Sequence, residues 1–188
     1  MTVHGPSGVT WSMPRSRNDI LPQSHEDAEK KICDSVSPWL TIMTKLPPKL
    51  QEIVDDFASM SREEKLETLI GYAESLPPLP DRLKEERDKM EEVPECMTPV
   101  FLFGEKQPDG GVVYHFDIPP QSPTVRGLAA ILANGLNGSK PEEILSVPAD
   151  FFTPMKLEEA ITHQRINGFI GILAHMKQAA VKLLENKS

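Results

Sequence analysis

The chain has 188 residues, 39% of them apolar and 26% charged, with a formal net charge of −8. A field of that sign repels phosphate backbones and disfavours nucleic acid as the main partner, and no apolar run reaches the ~20 residues that a membrane helix needs. Two cysteines, Cys33 and Cys96, are too few for a disulfide framework and suit a reducing compartment.

Residues 1–44 carry Gly5, Pro6, Gly8, Pro14, Pro22 and Pro38 among many Ser and Thr, with no sustained helical or strand period. Such a segment buries too little apolar surface to offset its ordering entropy, so it reads as a flexible extension. Arg15 and Arg17 allow the remnant of an organelle address, although Asp19, Glu26, Asp27, Glu29 and Asp34 are unusual for one; no secretory apolar region is seen. A plastid, a mitochondrion or a bacterial-type cytoplasm would each suit the chain, and secretion is not expected.

A folded domain is expected over residues 45–188. Leu50, Ile53, Val54 and Phe57 recur at helical spacing behind Pro47 and Pro48, which a helix tolerates at its start. Ser61 with Glu64 forms a capping-box signature, and Leu66, Leu69, Ile70 and Ala73 supply the buried stripe of a second helix, which Pro77, Pro78 and Pro80 end. Residues 81–95 are dense in charge and read as a solvated loop or short surface helix. The period then changes. Val100 to Phe103 and Val112 to Phe116 are strand-like, and Asp109-Gly110-Gly111 supplies the turn of a hairpin.

Ser122-Pro123 opens a helix lined by Val125, Leu128, Ala129, Ile131, Leu132 and Leu136, with Gly138 as its left-handed stop. Ser139 with Glu142 predicts another capping box and a short helix to Leu145, followed by a turn over 149–152. The last helix is expected from about His163 to Leu184, with Ile166, Phe169, Ile170, Leu173, Met176, Ala180 and Leu183 as its core stripe. Helices before and after a small antiparallel sheet of about three strands make an α+β domain.

Cys96 is the first candidate for chemistry. It sits in Val93-Pro94-Glu95-Cys96-Met97-Thr98-Pro99, where the prolines favour an extended loop. Two readings stand: a thiol presented to a partner, or a small buried hydrophobe. Glu91, Glu92 and Glu95 disfavour an autonomous thiolate. His115, on the second hairpin strand, would permit a cysteine–histidine hydrolase if it faced Cys96, and is otherwise structural. His4, His25, His163 and His175 show no ligand spacing, so no metal site and no cofactor of the chain's own are expected. Gly127 and Gly168 cost their helices about 1 kcal/mol each against alanine, which predicts close approach of another backbone.

Leu46-Pro47-Pro48-Lys49-Leu50-Gln51-Glu52-Ile53, the cysteine before a hairpin strand, Val125-Arg126-Gly127-Leu128, Pro141-Glu142-Glu143-Ile144-Leu145 and Arg165-Ile166-Asn167-Gly168 occur in one order over about residues 44–185. In that order they resemble the SufE family of sulfur acceptors. The resemblance implies a compact α+β fold whose Cys96 accepts sulfur as a persulfide. It also implies a SufS-like, pyridoxal-phosphate-dependent cysteine desulfurase as donor, with the cofactor in that partner, and an Fe–S cluster scaffold complex as recipient. Arg126, Arg165, Asn167 and His115 become candidates for partner binding or loop support, with both arginines expected near the Cys96 loop. Met97-Thr98-Pro99 and Pro119-Pro120-Gln121 depart from the family's usual residues, which motivates an alternative: a regulator that docks on a desulfurase without taking its sulfur.

Overall fold

The computed structural model describes residues 46–185; the extension expected over 1–44, and Cys33 within it, lie outside the described residues. Among the described residues nine elements follow one another: α1 (Pro48–Ser59), α2 (Arg62–Ser75), α3 (Asp81–Glu85), β1 (Glu91–Glu92), β2 (Phe101–Lys106), β3 (Val112–Asp117), α4 (Pro123–Leu136), α5 (Pro141–Ser146) and α6 (His163–Glu185). Three short 3-10 turns punctuate them, at Arg87–Lys89, Thr153–Met155 and Leu157–Glu159. The sheet is antiparallel in the order β1-β2-β3, giving the expected α+β class. Among the described residues no helix is long and apolar enough to cross a membrane.

α1 buries Leu50, Ile53, Val54 and Phe57, the stripe its spacing predicts. α2 is capped by a reciprocal pair: the Glu64 N–H donates to Ser61 Oγ (3.4 Å) and the Ser61 N–H to Glu64 Oε2 (2.7 Å). Its buried face departs from expectation, because Ile70 is 49% exposed while Lys65 is 1% exposed. The lysine stem can be buried because its ammonium reaches Glu159 Oε2 (3.2 Å) and the Lys156 carbonyl (3.4 Å).

The hairpin forms as expected. Phe101 pairs with Asp117 and Lys106 with Val112; Gly110 takes a φ of 88°, and the Asp109 carboxylate accepts the Gly111 N–H at 3.0 Å. The charged stretch before it holds in part, since α3 is a short helix as the reading of 81–95 allowed. It is not wholly solvated: Leu83, Met90 and Val93 are buried, and Glu91 and Glu92 pair with Leu102 and Phe101 to add an edge strand. Apolar residues spaced through a charged run anchored it, and that spacing matches no single period.

Two helix starts also differ. Ser122 precedes Pro123 as expected, but its side chain makes no capping bond. α5 begins one residue later than the Ser139 box predicts, with Pro141 at its first position and the Lys140 N–H donating to Glu143 Oε2 at 2.8 Å. Ser139 is otherwise engaged. Its carbonyl accepts the Val112 N–H while the Gly138 N–H donates to Val112, tying the end of α4 to β3.

α4 is the central element. It buries nine of its residues and packs on α1, α2, α6 and β3. α6 crosses β2 and α5, burying Ile166, Phe169, Leu173, Met176 and Ala180 as expected. Ile170 and Leu183 are only partly buried, while Ile172, outside the expected stripe, is fully buried. Tyr114 fixes β3 to this helix by donating its hydroxyl to the Met176 carbonyl at 2.7 Å, and burial raises its pKa well above that of a free phenol.

Candidate functional site

Cys96 lies in the loop between β1 and β2. The loop's base is closed by two buried valines, with the Val93 N–H donating to the Val100 carbonyl at 2.9 Å. Pro94 and Pro99 flank the tip, and Met97 stands 80% exposed there. Cys96 itself is half-buried. A rigid base with an apolar tip places the thiol at the surface of the sheet's edge without making it part of the sheet.

The thiol rests on α6. A Cβ placed on Gly168 would lie 2.8 Å from Cys96 Sγ, and one on Gly171 would lie 2.8 Å from Glu95 Cβ. The two glycines, three residues apart on one helix face, make a trough into which Glu95 and Cys96 settle. The expectation of a close backbone neighbour holds at Gly127, where a Cβ would come 2.1 Å from the Leu69 carbonyl oxygen. At Gly168 the neighbour is a side chain, and it is the cysteine.

Beside the thiol opens a hollow of about 410 Å³. Its walls come from the Cys96 loop and from the first turns of two helices: Ser122 to Val125 at the start of α4, and Thr162, Gln164 and Arg165 at the start of α6. Leu128, Phe169 and Ile172 form its apolar floor. Helix starts carry partial positive charge, so the hollow favours an anion more than the resting position of the thiol does. At rest, burial and then the Glu95 carboxylate push the Cys96 thiol up to about 11. The resting thiol is therefore neutral and poorly nucleophilic.

The candidates named from the sequence separate. Arg165 lines the hollow. Arg126 does not: its guanidinium donates to the Ile118 carbonyl (3.0 Å) and the Ala73 carbonyl (3.4 Å), bracing α4 against the end of β3 and the end of α2. Asn167 is exposed on α6 and is not among the lining residues. His115 pairs across the sheet with Phe103, its Nε2 lies 3.3 Å from Glu105 Oε2, and it borders a separate small hollow with Pro77 and Pro78. Among the described residues no histidine lines the Cys96 hollow, so the geometry offers the thiol no imidazole base there. Among the same residues no three histidines, cysteines or carboxylates gather as metal ligands.

Sequence reasoning gave no role at the site to Gln121, Thr124, Thr162 and Gln164 in the walls or to Gly171 in the trough. Gly171 carried a usable signal, since it is a second helical glycine on the face of Gly168. The polar wall residues carried none, because they meet only when α4 and α6 are packed side by side.

Known proteins resemble this body closely. The sequence model of the SufE family, described as an Fe–S metabolism associated domain, matches residues 51–180. An uncharacterized SufE-like protein of Mycobacterium tuberculosis is 40% identical over 139 residues, covering 74% of this chain and 96% of that protein. The cysteine desulfuration protein SufE of Plasmodium vivax is 27% identical over 144 residues, covering 75% of this chain and 56% of its own length. The solution structure of a hypothetical protein from Thermus thermophilus shares the fold with a TM-score of 0.67 at 33% identity, covering 75% of this chain and 99% of that one. The family match spans the helices that shelter Cys96 as well as the sheet that carries it, and the chain belongs to the SufE family of Fe–S metabolism proteins.

Proposed function

We propose that this chain accepts a sulfane sulfur on Cys96 from a pyridoxal-phosphate-dependent cysteine desulfurase, accelerates that enzyme by clearing its persulfide, and delivers the sulfur to an Fe–S scaffold complex. The observation that carries the reading is a half-buried thiol, neutral at rest, lying beside a hollow walled by two helix starts.

The chemistry is thiol exchange. The Cys96 thiol gives its proton to solvent or to a base of the donor. Its thiolate then attacks the outer sulfur of the donor's persulfide. A bond forms between Cys96 Sγ and that sulfur, the donor's own S–S bond breaks, and the electron pair leaves on the donor's cysteine thiolate. Delivery repeats the exchange with a recipient nucleophile. At rest Cys96 carries about a hundred times less thiolate than the ordinary value of 9.0 would give, which limits wasteful oxidation and reserves attack for the docked state. Docking would supply what the resting state withholds. It would draw the loop off the trough, take the thiol away from the Glu95 carboxylate, and let the negative sulfur face the starts of α4 and α6.

The test is transfer of labelled sulfur from a cysteine desulfurase supplied with free cysteine. Cys96→Ser should lose the sulfur-sized mass addition and Cys33→Ser should keep it. Equal loss in both variants, or in neither, would remove the acceptor role. Desulfurase stimulation that survives Cys96→Ser would point instead to a docking regulator.

A further inference from the structure

His175 lies on α6 opposite the Cys96 loop, with its side chain only 12% exposed. Both of its ring nitrogens meet carboxylates: Nδ1 is 2.8 Å from Glu91 Oε1 on β1, and Nε2 is 3.2 Å from Glu95 Oε2 in the loop. Carboxylates only accept, so both contacts are hydrogen bonds only when both ring nitrogens carry protons. The imidazolium is the form that fits. A neutral ring has one N–H, and its bare nitrogen would present a lone pair to the second carboxylate.

Distance and exposure decide which contact yields first: the Glu91 contact is the shorter and the less exposed. Glu91 is the less exposed partner, at 25% against 48% for Glu95, and it also receives Lys182 of α6 at 2.5 Å. Burial pulls the Glu91 carboxyl upward, but hydrogen bonds from Lys182 and His175 outweigh it and hold it below the usual carboxylate range. β2, α4, α5 and the Leu157–Glu159 turn also pack on α6. Glu105 pairs with Arg82 and His115, Glu143 accepts the Lys140 N–H, Glu159 pairs with Lys65, and the Arg126 guanidinium is held by carbonyls. Lys106 and Glu142 form no ion pair with His175 among the described residues. A single remaining N–H would stay with Glu91 and release Glu95.

We infer that His175 is a positioning residue that clasps the Cys96 loop onto α6: its imidazolium ties Glu95, the residue before the thiol, to the helix, and loss of one ring proton frees that end of the loop. Glu95 settles over Gly171 and Cys96 over Gly168, so releasing the first loosens the seat of the second. Histidine changes charge within the physiological range, which makes access to the thiol dependent on pH or on a partner's cation competing for Glu95. This inference concerns access to Cys96 and does not require that the thiol accept sulfur.

The experiment uses the full chain carrying Cys33→Ser, so that alkylation by neutral iodoacetamide reports Cys96 by intact mass. The rate for His175→Gln is divided by that of the parent at each pH, which cancels the common thiolate factor. At about pH 6, where carboxylates are ionised, the ratio should be about fivefold, as expected for losing one half-exposed ion pair, and it should fall to near one at about pH 8.5. His175→Lys keeps a cation and should hold the loop shut at both values, making it slower than the parent at about pH 8.5. A ratio that stays constant with pH, with or without a lowered melting temperature, would mean that His175 only packs, and the clasp would be discarded. Because no sulfur donor is present, failure here leaves the acceptor reading standing, and failure of labelled transfer leaves the clasp standing.

Discussion

The starts of α4 and α6 carry similar residues, Arg126-Gly127 in one and Arg165-Ile166-Asn167-Gly168 in the other, yet the fold uses them differently. At α4 the glycine admits the carbonyl of Leu69, and the arginine turns to brace the carbonyls of Ile118 and Ala73. At α6 the glycine admits the sulfur of Cys96, and the arginine lines the hollow beside it. Main chain inside a packed helix pair cannot give way; a cysteine side chain can leave by rotating about one bond. The first glycine therefore welds two helices, and the second is a seat that its occupant can vacate.

Alanine at each glycine tests that contrast most severely. Gly127→Ala forces a methyl 2.1 Å from the Leu69 carbonyl oxygen and should cost about 3 kcal/mol, lowering the melting temperature by roughly 6–12 °C. Gly168→Ala meets a movable sulfur, and its helix propensity gain of about 1 kcal/mol offsets an off-rotamer thiol of similar cost. Its stability should change by less than about 1 kcal/mol while Cys96 alkylation quickens roughly tenfold. Equal melting losses in the two variants would erase the distinction between weld and seat.

The seat itself is sharpened by pH. A thiol pushed up to about 11 by burial and Glu95 is favoured in its neutral form, so the thiolate grows with pH well beyond the ordinary value. Cys96 alkylation in the Cys33→Ser chain should keep rising about tenfold per pH unit to pH 10, where a free cysteine has already levelled. A plateau reached by about pH 9.5, as for a free cysteine, would mean that the thiol already spends its time outside the seat.

The arginines give the smallest contrast. Arg126→Ala strands two carbonyls and should cost about 2 kcal/mol in thermal or denaturant unfolding, with sulfur uptake unchanged in the folded fraction. Arg165→Ala removes an exposed side chain and should leave stability within about 0.5 kcal/mol while weakening sulfur uptake from the desulfurase. A reversal of these two outcomes would place the docking surface at α4.

The amino-acid pattern alone determined where the helices and the hairpin lie, because the spacing of Leu50, Ile53, Val54 and Phe57, the Ser61 and Glu64 cap and the Asp109-Gly110-Gly111 turn act through neighbours in the chain. It also singled out Cys96, through the proline-flanked loop and the ordered family motifs. Local patterns did not reveal the edge strand at Glu91 and Glu92, whose partners lie on β2, or the burial of Lys65, which depends on Glu159. They could not say which helical glycine faces main chain and which faces sulfur. They could not bring His175 to Glu91 and Glu95, which lie 84 and 80 positions away. Those relations depend on how α4, α6 and the sheet edge pack together, and packing is set by side chains far apart in the chain filling one shared volume.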